Sequence, residues 1–172
     1  MTGADAVPAS EELIRSLGEL LRRGREVGVL VVHLQNDGPE GAVDEPDRPG
    51  WELYFPVNLS DREVVVRKKR DDGFDGTPLG ELLNQHAVTR IAIGGVMSEM
   101  CVAATARTAL ARGLGVVMPH DAHATYTIGA APGISDEVPA AMASRVAEWS
   151  LGDEVEIVAR ATGVAFDPPA PV

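Results

Sequence analysis

The sequence predicts an α/β fold of three layers, a mainly parallel sheet flanked by helices, on three observations. Apolar runs of strand length alternate with segments of helical period, most connections between them are short, and hydrophobic residues make up 45% of 172 positions. That apolar content suits the core of one domain and is too small for two comfortable ones. The expected domain is 1–172, with its core at about 10–160.

Ser10 can cap the first helix, with Glu11 and Glu12 beside the free N–H groups of its first turn. Leu13, Ile14, Leu17, Leu20 and Leu21 follow at helical spacing, and the pattern stops before Gly28. Residues 29–34 are an apolar strand closed by the loop signal Gln35-Asn36-Asp37-Gly38-Pro39. A proline-rich, acidic stretch over 39–49 leads to Trp51-Glu52-Leu53-Tyr54-Phe55, an aromatic anchor for an ordered loop. Trp51, Tyr54 and Phe74 suit a pocket wall and plain core packing equally.

Residues 64–66 form a second strand. Thr77 then caps a helix with Pro78 at its first position and Leu79, Leu82 and Leu83 turned inward. A third strand spans 90–96 and a fourth 114–118, joined by a helix over about 99–112 whose small face of Ala103, Ala104, Ala106 and Ala109 allows close packing on a sheet. A loop over 127–133, rich in Gly, Ala and Pro, precedes a helix over about 136–151, and 154–158 is the last strand. Pro168, Pro169 and Pro171 mark a loose tail.

Ligands of such folds gather at the carboxyl ends of the strands. Two residues with useful chemistry fall there. Cys101, the one cysteine, follows the third strand, with Ser98 as expected N-cap and Glu99 in the first turn. At a helix start the first N–H groups lack intrahelical partners and the dipole is positive, which favours a thiolate and a lowered pKa. Those N–H groups also suit the oxyanion of a tetrahedral intermediate. Local sequence allows a buried structural cysteine equally well. Lys68 follows the second strand; within Arg67-Lys68-Lys69-Arg70 its default reading is a solvated charged turn.

Composition excludes several classes of function. A net charge of −11 opposes binding to a phosphate backbone, and Asp71 and Asp72 offset the basic run at once, so no nucleic-acid partner is expected. Neither a P-loop nor a G-x-G-x-x-G occurs, and no cofactor is implied. One cysteine and four scattered histidines match no usual zinc spacing, so no metal is expected. Without an internal disulfide, a signal peptide or an apolar run of about 18 residues, the expectation is a cytoplasmic protein with no membrane association.

Three ordered segments carry a family resemblance. Val66-Arg67-Lys68-Lys69-Arg70-Asp71-Asp72-Gly73-Phe74-Asp75-Gly76-Thr77-Pro78-Leu79 resembles the lysine segment of the isochorismatase-like cysteine hydrolases. Gly95-Val96-Met97-Ser98-Glu99-Met100-Cys101-Val102-Ala103-Ala104-Thr105-Ala106 resembles their nucleophile segment, and Val116-Val117-Met118-Pro119-His120-Asp121-Ala122-His123-Ala124-Thr125 the strand and turn that follow. The resemblance implies a hydrolase that cleaves an amide, carbamoyl or vinyl-ether bond of a small molecule. Cys101 is then the nucleophile and Lys68 its cationic support. It also implies a cis peptide between Val96 and Met97, an oxyanion hole from the backbone N–H groups of Met97 and Cys101, and assembly as a homo-oligomer.

One position departs from the pattern. The family's aspartate ends its first strand, and the nearest text here is Val31-Val32-His33-Leu34-Gln35-Asn36-Asp37, which puts His33 in its place. On a second register these residues match the family's second strand, and the first strand with its aspartate is absent. His33 is then either a substitute base, since imidazole titrates near neutrality, or a hydrogen-bonded strand histidine. Asp37, Asp121 and His123 are further candidates for the base, behind His33, and read more simply as turn formers and rim residues. Two functional readings stay open: a working cysteine hydrolase, and an impaired relative that binds a small molecule or another subunit.

Overall fold

The computed structural model describes residues 6–167; the expected proline tail at 168–171 lies outside them. The first helix, α1, spans Ser10–Val27 and ends where Gly28 takes a left-handed conformation, its N–H bonding back to the carbonyls of Gly24 and Arg25. Its N-cap is Ala9, not Ser10, which is already helical.

Strands β1 (Val31–Asn36) and β2 (Glu63–Lys68) pair in parallel, with Val31 opposite Glu63 and Asn36 opposite Lys68. The pairing sets Asn36 and Lys68 side by side at the carboxyl ends. Helix α2 spans Leu79–Gln85; its N-cap is Pro78, not Thr77, so the expected start shifts by one residue, although Thr77 Oγ1 accepts the N–H of Leu79 at 3.2 Å.

The third predicted strand is divided. Its first half is β3 (Arg90–Ala92), which pairs with β5 (Gly115–Pro119), itself paired with β7 (Val155–Val158). Its second half is β4 (Gly95–Val96), which pairs with a short strand, β6 (His123–Ala124), that the sequence pattern did not reveal. Gly94 lies at the break, where a Cβ would sit 2.5 Å from the Ala122 carbonyl oxygen and 2.9 Å from Leu17 Cδ2. Only glycine allows that approach.

The helix expected over 99–112 opens with a π-helical turn, Ser98–Val102, before α3 (Ala103–Ala111). Ser98 is the first residue of that turn and Met97 its cap, which shifts the expected capping by one residue. The last helix, α4, is shorter than predicted, Ala140–Trp149, because Pro139 is extended and fixes its start.

The layers follow from alternation along β1. Leu30, Val32 and Leu34 pack against a core of Phe74, Leu79, Leu83, Val102, Ala103, Ala106 and Met118, supplied largely by α2, α3 and β5. Val31, one residue out of phase, approaches Gly24 of α1 on the opposite face. The small side chains of α3 let it lie flush on the sheet: Ala103, Ala106 and Ala109 are fully buried. The fold is therefore a three-layer α/β arrangement with parallel pairing throughout its named strands. Among the described residues β1 and β3 each keep one edge without a strand partner, and Leu17, Leu20 and Leu21 of α1 are only half-buried.

Candidate active site

Pairing in β1 and β2 places Lys68 at a strand end, and the adjoining π-helical turn carries Cys101 to meet it. Lys68 Nζ lies 3.2 Å from Cys101 Sγ, 3.0 Å from Asn36 Oδ1 and 3.0 Å from the Arg70 carbonyl oxygen. Its residue is 5% exposed, so the solvated-turn reading fails. Three acceptors around one ammonium fix its direction, and the sulfur occupies one of the three.

The Lys68 loop is held by close packing. Gly73 approaches Leu34 and Thr105 so tightly that a Cβ would sit 2.6 Å from Leu34 Cδ1, and its N–H donates to Thr105 Oγ1 at 2.9 Å. Asn36 is itself anchored, its Nδ2 donating to Asp44 Oδ2 at 2.6 Å. Next to it, Asp37 pairs with Arg67 at 2.8 Å and accepts from Trp51 Nε1 at 2.9 Å. The Arg67 guanidinium is the main cause holding the Asp37 carboxyl below its ordinary pKa. Trp51 thus borders the strand end, whereas Phe74 is core and Tyr54 is exposed against Phe55.

Cys101 is half-buried, and its thiol donates toward Asp71 Oδ1 at 3.5 Å. Burial pushes the thiol pKa up; the hydrogen bond and charge of Lys68 pull it down, and Asp71 pushes it up again. The lowered pKa expected from the helix start is thus reversed, because removal from water disfavours the anion more than one ammonium favours it. The peptide between Val96 and Met97 is cis, and the Met97 carbonyl accepts the N–H groups of Met100 and Val102.

His33 is not brought to the sulfur. Its Nε2 lies 2.9 Å from Glu63 Oε1 at the amino end of β2; at about 3.3 Å per residue, His33 is roughly 10 Å and Glu63 roughly 16 Å along the sheet from the Asn36–Lys68 pair. Glu63 also takes a forked bond from Arg25, at 2.6 and 2.9 Å, and the N–H of Asn58. Arg25 is the main cause that lowers the Glu63 pKa to about 2, with His33 and Asn58 adding to it. This is the arrangement of a hydrogen-bonded strand histidine.

Asn36 and Asp71 are the residues that sequence reasoning missed. Asp71 was visible three positions after Lys68, but as charge balance for a basic run. Asn36 was visible only within the loop signal that closes the first apolar run, whereas β1 continues through it. His123, expected at a rim, is instead buried between Ser98 Oγ at 2.8 Å and Glu148 Oε1 at 3.0 Å. Asp121 accepts the Ala161 N–H at 2.7 Å, in keeping with a turn residue.

The isochorismatase-domain family model matches residues 1–143. The chain belongs to the isochorismatase family. It is 64% identical over 166 residues to a streptothricin hydrolase of Streptomyces noursei, covering 96% of this chain and 66% of that protein. A second streptothricin hydrolase of that organism is 62% identical over 169 residues, covering 98% of this chain and 61% of the relative. The chain therefore spans just under two thirds of the length of these relatives. Among solved structures, an isochorismatase of Pseudomonas putida superposes with a TM-score of 0.85 at 21% identity, over 95% of this chain and 83% of that one. An N-carbamoylsarcosine amidase of Thermoplasma acidophilum gives 0.73 at 19%, over 96% and 92%. At those identities the family's solved structures speak to the fold.

Proposed function

We propose that the protein is a cysteine hydrolase that cleaves an amide-like bond of streptothricin or a closely related small molecule, with Cys101 as nucleophile. The observation that carries this reading is the 3.2 Å contact between Lys68 Nζ and Cys101 Sγ at a strand-to-helix junction, with Asp71 at 3.5 Å on the same sulfur. The substrate class comes from the two streptothricin hydrolases that resemble 96% and 98% of the chain.

The chemistry assigns each group a role. Asp71 takes the thiol proton as sulfur attacks the carbonyl carbon, and Lys68 balances the thiolate charge. The backbone N–H groups of Met97 and Cys101 receive the oxyanion. Asp71 returns the proton to the leaving nitrogen, the C–N bond breaks, and a thioester remains. Water, giving its proton to Asp71, then hydrolyses the thioester, and that proton goes back to sulfur. Asn36 and the Arg70 carbonyl keep Lys68 aimed. No step uses a cofactor or His33.

Incubation of the protein with streptothricin, followed by mass spectrometry, tests this. The expected products together account for the substrate plus one water, with Cys101→Ala inactive; equal turnover by Cys101→Ala would refute the assignment.

A second reading, a small-molecule-binding relative with impaired turnover, draws on the raised thiol pKa, since a protonated thiol is a poor nucleophile. Tight binding of streptothricin with no product from the intact chain would select it. In either case we propose a homo-oligomer, on the edges of β1 and β3 that have no strand partner among the described residues and on the half-buried leucines of α1. Light scattering at micromolar concentration tests this, and a monomer would remove the proposal.

A further inference from the structure

On the far side of the turn that bears Cys101, three side chains converge on one point. His123 Nε2 lies 3.0 Å from Glu148 Oε1, His120 Nδ1 lies 2.5 Å from the same oxygen, and the three ligand atoms fall within 4.8 Å of one another. We infer that His120, His123 and Glu148 form a binding site for a divalent transition metal, with zinc as its preferred occupant.

Ligand type is the first support. Two imidazoles and one carboxylate are a recurrent donor set for zinc, which leaves a fourth position open to water or an added ligand. Spacing is the second. Bonds of about 2.0–2.1 Å in a tetrahedron hold donor atoms roughly 3.3 Å apart, so zinc entry needs the two contacts to Glu148 Oε1 to widen by under about 1 Å and the two imidazole nitrogens, now within 4.8 Å, to settle at that spacing. His120 can supply that movement, because its side chain is 48% exposed while Glu148 is 1% exposed.

The surroundings already hold the donors in place. Arg145 Nη1 binds Glu148 Oε2 at 3.0 Å and leaves Oε1 for the site. His123 Nδ1 faces Ser98 Oγ, which in turn lies 3.1 Å from Ser144 Oγ. With no metal, Ser98 donates to Nδ1 and the Nε2–H donates to Glu148. With zinc on Nε2, the imidazole keeps its one proton at Nδ1 and donates to Ser98, which donates to Ser144. The proton count on His123 is unchanged. Such outer partners orient metal-bound imidazoles. The half-exposed His120 side chain opens the site to solvent on that side.

Position gives the site a consequence. Ser98 begins the π-helical turn that carries Cys101, so a metal that fixes His123 also braces the nucleophile segment from behind. Sequence spacing could not show this, because Glu148 is 25 residues from His123 and lies on α4, whereas His123 is in β6.

The test uses untagged Cys101→Ala protein, which removes the one thiol that could bind zinc by itself and makes the outcome independent of any hydrolase activity. After stripping with a chelator, it is titrated with Zn²⁺ against a chromophoric competitor. The expected result is one equivalent bound, weakened at least 10-fold by adding His120→Ala or Glu148→Gln, with a zinc-dependent rise in Tm that His120→Ala abolishes. His120 is half-exposed, so its variant keeps the fold, which circular dichroism verifies. A hydrogen-bonded network alone predicts no competition for zinc by Cys101→Ala, or equal affinity in the His120→Ala variant, and either result would overturn the site.

Discussion

Replacing Asp71 with Asn separates two quantities that usually move together: thiol acidity and turnover. The Asp71 carboxylate sits 3.5 Å from Cys101 Sγ and raises the thiol pKa, adding to the larger effect of burial. With r of 3.5 Å and an effective dielectric constant between about 40 and 80 for a half-exposed pair, 332/(εr) gives about 1–2 kcal/mol of repulsion between the carboxylate and the thiolate. Asp71→Asn removes that charge, so the thiol becomes more acidic, and alkylation by iodoacetamide at pH 7 speeds up by about 3- to 10-fold. Turnover moves the other way, because loss of a positioned general base typically costs about 10²- to 10⁴-fold. Stopped alkylation followed by mass spectrometry reads the first quantity, and streptothricin hydrolysis the second. Slower alkylation in the variant would contradict the electrostatics, and unchanged hydrolysis would remove Asp71 from the mechanism.

Lys68→Met moves both assays down: the thiol loses the cation that lowers its pKa, so the alkylation profile shifts to higher pH and hydrolysis is lost. The same change leaves Asn36 Oδ1 and the Arg70 carbonyl without their donor, a cost of about 2 kcal/mol visible in urea denaturation. Glu63 makes stability depend on acid. Its folded pKa of about 2 lies below an unfolded value of about 4.3, so its contribution of about 3 kcal/mol is complete above about pH 5 and disappears as pH falls toward 2. Glu63→Gln flattens that slope in pH-dependent unfolding, and an unchanged slope would discount the Arg25 and His33 contacts. Gly94→Ala lowers stability by about 1–3 kcal/mol through overlap with the Ala122 carbonyl, while Gly129→Ala, with open space around it, leaves Tm unchanged.

Much of the fold was legible because hydrophobic period is a local property. The stripe Leu13, Leu17, Leu20 and Leu21 and the alternation around Val32 and Leu34 reveal α1 and β1 to within about two residues. Where the reading slipped, a tertiary constraint intervened. The apolar run over 90–96 looks continuous, but Gly94 presses against Ala122 and divides it, and β6 exists only because β4 lies beside it. The expected helix start at Ser98 became a π-helical turn with Met97 as its cap.

At the candidate site, sequence by itself determined the family resemblance and the positions of Cys101 and Lys68, since strand ends and helix starts are written in local pattern. Only the tertiary structure decided what surrounds them. It turned His33 toward Glu63, set Asn36 beside Lys68, brought Asp71 to the sulfur and gathered His120, His123 and Glu148 behind the nucleophile turn. The physical reason is that a thiol's acidity or an imidazole's partner depends on which charges and how much water lie within a few ångströms. Those neighbours are fixed by strand register and helix packing across 25 to 33 residues of chain, which no local pattern records.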